Sequence, residues 1–365
     1  MKNIYFRFIL IVFFSSFLFG NSKDYYQIDE YISYSKQERI SENFIKIIQE
    51  KSKAITKQNQ KIKIVMVYPG NQISDYWRKS KLSFEKRMIE LNINYELIDF
   101  FTKPAVEIKE QSKHLLKAFK QNADYLIFTL DAKKHTKFIE RIISKKRTKL
   151  ILQNITTPLK KWKNRQPFLY VGFDHSTGSK MLADYYIKET KAEGNYAVLY
   201  GSKGYVSFMR GVNFIDYISS KSNLKLIHEY YTDFNKQKAK NATLDLLAIN
   251  SDIKFIYACS TDIALGVIEA LKEKDLLGKI KVNGWGGGNS ELDAIEKGLM
   301  DITVMRMNDD NGVAMAEAIK YDLINKNDEI PTIYSGEFKI VKKGIKKEEL
   351  EKYKMKAFRY TFDDK

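Results

Sequence analysis

Cysteine and histidine are both rare in this sequence of 365 residues. The single cysteine, Cys259, cannot form an intramolecular disulfide and leaves no C-x-x-C pair. We expect it to be a small core residue at the end of a strand. The four histidines, His114, His135, His175 and His228, lack the spacing of metal ligands. We therefore predict structural roles for the histidines and no metal site.

Sequence motifs of common enzymes are also missing. There is no G-x-S-x-G elbow, Walker A loop or H-E-x-x-H helix. The run at residues 284–288 resembles a dinucleotide-binding loop, but Asn289 stands where G-x-G-x-x-G has its final glycine. The indole of Trp285 would also block the close approach of a pyrophosphate. A hydrolytic enzyme would need a nucleophile and a base, and no such pair is evident, so we expect no enzymatic activity and no cofactor.

Basic residues outnumber acidic ones, and the formal net charge is +17. Such a balance raises nucleic acid or a membrane surface as possible partners. The lysines are nevertheless spread along positions predicted to be exposed, such as Lys160 and Lys161, and no RNP, zinc-finger or recognition-helix signature accompanies them. We therefore predict a solvated, lysine-rich surface and no nucleic-acid partner.

A long apolar run occurs at residues 8–19, close to the amino terminus. Lys2 and Arg7 flank its start, and small residues follow its end. This pattern predicts a secretory signal peptide over residues 1–22, with an uncleaved membrane anchor as the alternative. Because no cysteine lies near the cleavage site, we expect no lipoprotein anchor.

The length of the chain suits two domains. Residues 23–60 carry apolar side chains at helical spacing, among them Ile40, Phe44 and Ile48, which predicts an amphipathic helix packed on the main body. From residue 61 onward, short β-branched and aromatic runs alternate with helical patterns. Such alternation indicates βαβ units, and we predict an α/β fold with two doubly wound parallel sheets.

The stretch at residues 61–77 carries the first sign of a binding site. Its apolar run continues to Val67 and is stopped by Pro69 and Gly70, as expected of a strand buried on both faces. Ser74 is a candidate N-cap for the helix that follows, so the loop before it lies at the carboxyl end of a strand. Ligands bind at such ends in open α/β sheets. The amide, hydroxyl and indole groups of this loop and helix suit a small hydroxylated ligand.

Polar and aromatic side chains recur at the other predicted strand ends. Each has an ordinary interpretation by itself, since Ser74 and Thr261 could cap helices, Asn154 could form a turn, the tryptophans could be core residues and the arginines could form surface ion pairs. Because they all fall where an α/β sheet presents ligands, we predict that they form one pocket. The predicted ligand-binding residues are Gln72, Ser74, Trp77, Asn154, Arg210, Thr261, Asp262, Trp285 and Arg306.

Five segments carry a family resemblance: 68–77 (YPGNQISDYW), 152–158 (LQNITTP), 257–262 (YACSTD), 283–288 (NGWGGG) and 303–310 (TVMRMNDD). In this order they resemble the autoinducer-2-binding periplasmic receptors of the LuxP type, which are type I periplasmic binding proteins. The resemblance implies a periplasmic protein of two lobes joined by a three-stranded hinge, with an amino-terminal helical extension over residues 23–60. The implied lobes are residues 61–173 plus 288–325 and residues 174–287 plus 326–365.

The ligand of that family is the quorum-sensing signal autoinducer 2, a furanosyl borate diester that carries a negative charge and several hydroxyl oxygens. The resemblance implies that Arg210 and Arg306 bind the borate, because arginine stays cationic when buried. Trp77 and Trp285 would exclude water, which strengthens these ionic contacts. The hydroxyls would be bound by Gln72, Ser74, Asn154 and Thr261. The first lobe would supply Gln72, Ser74, Trp77, Asn154 and Arg306, and the second Arg210 and Thr261.

Two functions of different class remain open at this point. In the first, the protein is a receptor for autoinducer 2 whose lobe closure is read by an inner-membrane sensor histidine kinase. In the second, it is the sugar-binding subunit of an uptake transporter. Sites for neutral sugars usually carry acidic groups, whereas two arginines favour an anion, and this difference favours the receptor.

Overall fold

The computed structural model describes residues 24–130, 135–145 and 147–362. The predicted signal peptide, residues 1–22, lies outside the described residues. No helix in the described ranges is long and apolar enough to cross a membrane. The described chain forms two α/β lobes, each built on a six-stranded sheet.

The sheet of the first lobe is parallel throughout. Its strands are β1 (Ile62–Tyr68), β2 (Tyr95–Phe101), β3 (Tyr125–Phe128), β4 (Lys149–Gln153), β5 (Leu169–Phe173) and β11 (Ile333–Gly336). They lie in the order β11-β5-β4-β3-β1-β2. Strand β1 is central, with Val65 paired to Ile98 on one side and to Leu126 on the other. Its continuous apolar run is explained by this position, because helices cover both faces of a parallel sheet.

The sheet of the second lobe is mixed. Its strands are β6 (Glu193–Tyr200), β7 (Asn223–Tyr231), β8 (Phe255–Ala258), β9 (Lys281–Gly286), β10 (Ile302–Arg306) and β12 (Phe338–Lys342). They lie in the order β12-β10-β9-β8-β6-β7. All paired strands are parallel except β12, which runs antiparallel to β10 at the edge.

Helices connect most successive strands, which confirms the predicted doubly wound fold. They are α1 (Ile28–Ser35), α2 (Glu38–Gln49), α3 (Tyr76–Glu90), α4 (Ile108–Lys120), α5 (Thr136–Lys145), α6 (His175–Glu189), α7 (Tyr205–Ser207), α8 (Asn213–Lys221), α9 (Lys236–Ile249), α10 (Thr261–Glu273), α11 (Asn289–Glu296), α12 (Asp309–Leu323) and α13 (Lys347–Ala357). A π-helical turn, Phe208–Val212, joins α7 to α8. Helix α3 has Asp75 in its N-cap position, so the prediction that Ser74 caps it is wrong.

The chain passes between the lobes three times: after β5, after β10, and at Glu337 between β11 and β12. The lobe boundaries expected after residues 287 and 325 are therefore wrong. Strand β10 pairs with β9, which places residues 288–306 in the second lobe, and β11 pairs with β5, which places residues 326–336 in the first. The local sequences of short strands such as β10 and β11 do not show which sheet they join, and only their long-range pairing assigns them.

Both ends of the described chain pack on the first lobe. The amino-terminal extension is helical, as predicted, and Phe44 and Ile48 of α2 are completely buried. After α13 the carboxyl-terminal tail leaves the second lobe, and the backbone N–H groups of Tyr360 and Thr361 donate to Asp309 of α12 at 2.8 and 2.9 Å. The sequence did not predict this return, because the tail is short and its partner lies far away along the chain.

Candidate functional site

A single arginine of α3 holds the loop that follows β1. The Nη1 atom of Arg78 donates to the carbonyl oxygens of Gly70 and Gln72 at 3.1 and 2.9 Å. Its Nη2 atom donates to the carbonyl oxygen of Ile73 at 3.2 Å. Three backbone acceptors on one planar guanidinium fix the path of the loop. The loop thereby brings Gln72 and Ser74 to the space between the lobes.

A cavity lies in that space, at the carboxyl ends of strands from both sheets. The volume available to the centres of water molecules in this cavity is about 50 Å³. This is room for about four water molecules, so the cavity suits a small molecule. The structure brings eight of the nine predicted residues to its wall, namely Gln72, Ser74, Trp77, Asn154, Arg210, Thr261, Trp285 and Arg306. Lining residues that the sequence analysis missed include Tyr76, Thr129, Phe234 and Ser260.

Arg210 lies in the π-helical turn between α7 and α8 and is buried. Its Nη1 atom donates to the carbonyl oxygen of Cys259 at 2.8 Å, and its Nε atom to Nδ1 of His175 at 3.3 Å. The guanidinium stacks 3.8 Å above the ring of Trp285. Burial, together with the positive charge of Arg306, lowers the pKa of Arg210 to about 9. The site therefore holds a cation in a strongly unfavourable environment.

Arg306 ends β10, next to the second crossover, and therefore belongs to the second lobe and not to the first as expected. Its guanidinium lies 4.0 Å from the ring centre of Tyr76, which belongs to the first lobe. Burial lowers the pKa of Arg306, and its Nε atom has no hydrogen-bond partner among the described residues.

Neither arginine of the cavity forms an ion pair with a carboxylate in the described part of the chain. The described lining residues also include no Asp or Glu. Burial of two cations is costly, and it is only partly offset here by the hydrogen bonds of Arg210, by the aromatic rings and by the more distant charges of Glu291 and Asp75 near Arg306. The electrostatics of the cavity thus favour a negatively charged occupant.

Two tryptophans form rigid apolar walls beside the arginines. Trp77 packs on Tyr68 with 4.8 Å between ring centres. Trp285 donates from Nε1 to the hydroxyl of Tyr257 at 3.0 Å, and its ring lies 5.6 Å from that of Phe338. These contacts fix both indoles, so the walls are formed before a ligand arrives.

Besides Nε of Arg306, three lining residues have buried polar atoms that find no partner in the described protein. These atoms are Oγ1 of Thr129, Oδ1 of Asn154 and Oγ of Ser260. Buried polar atoms are almost always hydrogen-bonded in native proteins. Their unmet capacity at a cavity wall is therefore consistent with a ligand that carries hydroxyl groups.

A buried carboxylate behind the cavity was missed by the sequence analysis. Glu291, in the first turn of α11, accepts from the hydroxyl of Thr261 at 2.6 Å and from that of Thr303 at 2.5 Å. It also accepts from the backbone N–H groups of Trp285 and Gly287 at 2.9 and 2.8 Å. An acidic residue just after a glycine-rich run was the signal that could have revealed it. Glu291 holds two lining residues, Thr261 and Trp285, in place.

The glycine-rich run 284–288 serves this site and does not form a nucleotide loop. A Cβ atom on Gly284 would lie 2.4 Å from Oε2 of Glu291. At Gly286, where φ is +143°, a Cβ atom would lie 2.3 Å from Nη2 of Arg306. Glycine is required at both positions because the site's charged groups approach the backbone too closely for any side chain.

Asp262 is the predicted residue that does not line the cavity. It lies on α10 of the second lobe, and its carboxylate accepts from the backbone N–H groups of Ile73 and Ser74 on the first, at 3.0 and 3.2 Å. Burial raises the pKa of Asp262. The structure places this side chain in a bridge between the lobes at the edge of the cleft, where the amides and not the cavity satisfy the carboxylate.

Two α/β lobes, joined by three crossovers and enclosing a ligand-sized cavity, have the architecture of a type I periplasmic binding protein. A sequence model of the family described as "Periplasmic binding protein domain" matches residues 64–327. The chain belongs to this family. Its members bind ligands and do not catalyse reactions, as the missing enzyme motifs led us to expect.

Two curated relatives are named for sugars. The D-allose-binding periplasmic protein of Escherichia coli (strain K12) is 29% identical over 161 residues, which cover 44% of this chain and 51% of that protein. The ribose import binding protein RbsB of Haemophilus influenzae is 26% identical over 136 residues, which cover 37% of this chain and 46% of that protein. The chain thus spans about half the length of these relatives.

Solved structures share the fold over most of the chain. An ABC transporter solute-binding protein from Actinobacillus succinogenes with bound D-allose has a TM-score of 0.67 and 20% identity, over 78% of this chain and 98% of its own. The fructose-binding periplasmic domain of a hybrid two-component system has a TM-score of 0.70 and 17% identity, over 83% of this chain and 98% of its own. At such identities the likeness shows the fold alone.

Proposed function

We propose that the protein is a periplasmic receptor for autoinducer 2 in its furanosyl borate diester form. One observation carries the proposal: Arg210 and Arg306 are both buried at the wall of one small cavity, and neither forms an ion pair in the described chain. A ligand that combines a negative charge with several hydroxyl groups would supply what both arginines lack. The segment resemblance supports the same ligand.

Each lining group has a role in this proposal. Arg210 and Arg306 bind the borate oxygens. Arg210 is stacked on Trp285, and Arg306 is stacked on Tyr76. The ring hydroxyls are bound by Gln72, Ser74, Asn154 and Thr261, with Thr261 oriented by Glu291. Binding requires no cofactor or metal, because all of these interactions come from side chains.

The signalling step is proposed to run through an inner-membrane sensor histidine kinase. Since both lobes contribute to the cavity wall, the ligand favours the closed arrangement over the open one. Closure changes the relative position of the lobe surfaces, and a membrane partner can read that change. The fructose-binding domain of a two-component system, named above, is a precedent for coupling this fold to signalling.

A sugar-binding subunit of an uptake transporter is the second candidate. The two curated relatives, named for D-allose and for ribose import, favour it, so the comparisons with known proteins support it better than they support the autoinducer-2 receptor. It leaves the two unpaired arginines unexplained, because a neutral sugar would not neutralise them.

Analysis of the natural ligand separates the two candidates. The protein is purified without dialysis from the periplasm of a culture that makes autoinducer 2, heated to release its ligand, and the released molecule is examined by mass spectrometry and boron analysis. We expect boron in a molar ratio near one to the protein, and none from Arg306→Ala purified in the same way. A sugar mass without boron would overturn the receptor proposal in favour of uptake.

A further inference from the structure

We propose that His175 is a positioning residue, which fixes Arg210 for the ligand by holding one imidazole tautomer between Asn154 and Arg210. The inference rests on the proposed function for the identity of the ligand only. His175 is the first residue of α6 and directly follows the first crossover. It is 1% exposed. The ring therefore lies at the point where the first lobe becomes the second.

The two hydrogen bonds of the ring require the same tautomer. Nε2 of His175 lies 3.1 Å from the carbonyl oxygen of Asn154, which can only accept, so Nε2 must carry the proton. Nδ1 lies 3.3 Å from Nε of Arg210, which can only donate, so Nδ1 must present its lone pair. An imidazolium would set an N–H of Nδ1 against the N–H of Arg210, and the second hydrogen bond would be lost.

The surroundings of the His175 ring keep it neutral and fix its orientation. Its ring centre lies 5.3 Å from that of Trp285 and 5.9 Å from that of Tyr205, both in edge contacts. Burial, and then the positive charge of Arg210, lower the pKa of His175 well below its ordinary value. The imidazole is thus a rigid, neutral acceptor at neutral pH.

The Nδ1 acceptor of His175 fixes the plane of the Arg210 guanidinium. One further protein hydrogen bond, from Nη1 to the carbonyl oxygen of Cys259, anchors Arg210. A guanidinium held at one nitrogen can rotate, whereas one held at both Nη1 and Nε has its plane fixed against Trp285. The remaining N–H groups are then left to the cavity. Asn154, whose carbonyl orients the imidazole, also lines the cavity, so His175 ties lining residues of both lobes together.

Nuclear magnetic resonance of the ligand-free protein tests the tautomer without reference to any ligand. In protein labelled with ¹⁵N at histidine and arginine, His175→Asn assigns the His175 signals by their disappearance. We expect the proton on Nε2, an unprotonated Nδ1, and a coupling between Nδ1 of His175 and Nε of Arg210 across the hydrogen bond. A proton on Nδ1 would overturn the inference.

Binding measurements test the role of the acceptor. His175→Asn can place an amide oxygen near the position of Nδ1, whereas His175→Phe keeps the ring but offers no acceptor. With the furanone precursor and boric acid as the probe, we expect His175→Phe to lose about tenfold or more in affinity, and His175→Asn to stay within about threefold of the parent. His228→Asn, on β7 of the second lobe, is the matched control and should bind like the parent.

The outcomes distinguish the inference from the proposed function. If His175→Phe binds as tightly as the parent, or if His175→Asn is as weak as His175→Phe, the acceptor does not position Arg210 and the inference is wrong. If the parent itself does not bind the probe, the proposed function fails. The tautomer and the coupling to Arg210 then still decide whether His175 holds the arginine.

Discussion

Asp262 of the second lobe accepts a hydrogen bond from the backbone N–H of Ser74 of the first, at 3.2 Å, and another from Ile73 at 3.0 Å. A second bridge lies nearby, where the backbone N–H of Asn289 on α11 donates to Asp75 at 3.2 Å. The closed arrangement of the lobes is therefore stabilised by contacts that the ligand does not make. The balance between open and closed forms depends on both sets of contacts.

We expect Asp262→Asn to shift the ligand-free protein toward an open form. The side-chain amide of the new asparagine lacks the negative charge that strengthens both hydrogen bonds. Its NH₂ group also takes the place of one carboxylate oxygen and therefore faces a backbone N–H group, which it cannot accept from. Small-angle scattering should give a larger radius of gyration than for the parent, and ligand affinity should fall by about tenfold because closure becomes less favourable. Asp252→Asn, an exposed change on the same lobe, is the control. Identical scattering curves for Asp262→Asn and the parent would show that the bridge does not set the equilibrium.

Replacement of Arg306 should weaken ligand binding without unfolding the protein. Arg306→Ala leaves an anionic ligand partly unpaired in a desolvated cleft, and we expect a loss of about 2 to 5 kcal/mol in binding free energy. Calorimetry with borate present measures it, and Arg165→Ala, at an exposed position, is the control. Binding within about twofold of the parent would mean that Arg306 does not contact the ligand.

Boron should be part of the ligand. The two arginines lack a direct ion pair and favour a negative charge, which the borate diester carries and the furanone precursor alone does not. Affinity for the precursor should drop in rigorously boron-depleted buffer and recover when boric acid is added. Arg306→Ala should lose most of this dependence. An affinity that is independent of boron would favour the uptake of a neutral sugar.

The buried Glu291 should matter for stability as well as for the site. In Glu291→Gln one acceptor oxygen becomes an NH₂ group, which faces N–H and hydroxyl donors that need an acceptor. We expect the free energy of unfolding to fall by about 1 to 3 kcal/mol, measured by urea denaturation. Asp293→Asn, exposed on the same helix, should change it little. Equal stabilities of the two variants would contradict the role of Glu291 as the acceptor for the second lobe's binding wall.

The buried, neutral His175 should lower the free energy of unfolding of the parent protein when the pH falls from neutral to mildly acidic. Its folded-state pKa lies well below its ordinary value, so the unfolded chain binds a proton that the folded chain does not. Its contribution to stability is therefore fully present above about pH 6.5 and is lost as the pH falls below that value. Between pH 7.5 and 5.5 this contribution of His175 falls by at most about 1.4 kcal/mol. His175→Asn should lose about that much less over the same range, as measured by denaturation at the two pH values, and an equal loss in both proteins would contradict the assignment.

Much of the cavity could be predicted because eight of its lining residues carry a local signal. Gln72 and Ser74 follow an apolar run stopped by Pro69, and Arg306 ends another such run. In a parallel α/β sheet, every strand that ends this way presents its last residues at the same edge. The positions of the predicted residues along the chain were then enough to place most of them near the cavity, although they did not show to which lobe Arg306 belongs.

The amino-acid sequence by itself determined the alternation of strands and helices, the helical extension and the chemistry available at the strand ends, because these depend on neighbouring residues. Only the tertiary structure decided which sheet takes β10 and β11, since strand pairing joins segments far apart in the chain. It also turned Asp262 toward the amides of the opposite lobe, buried Glu291 behind Thr261 and set His175 beside Arg210. These roles depend on the direction of a side chain and on its partner, and both are fixed only when distant segments of the chain pack together.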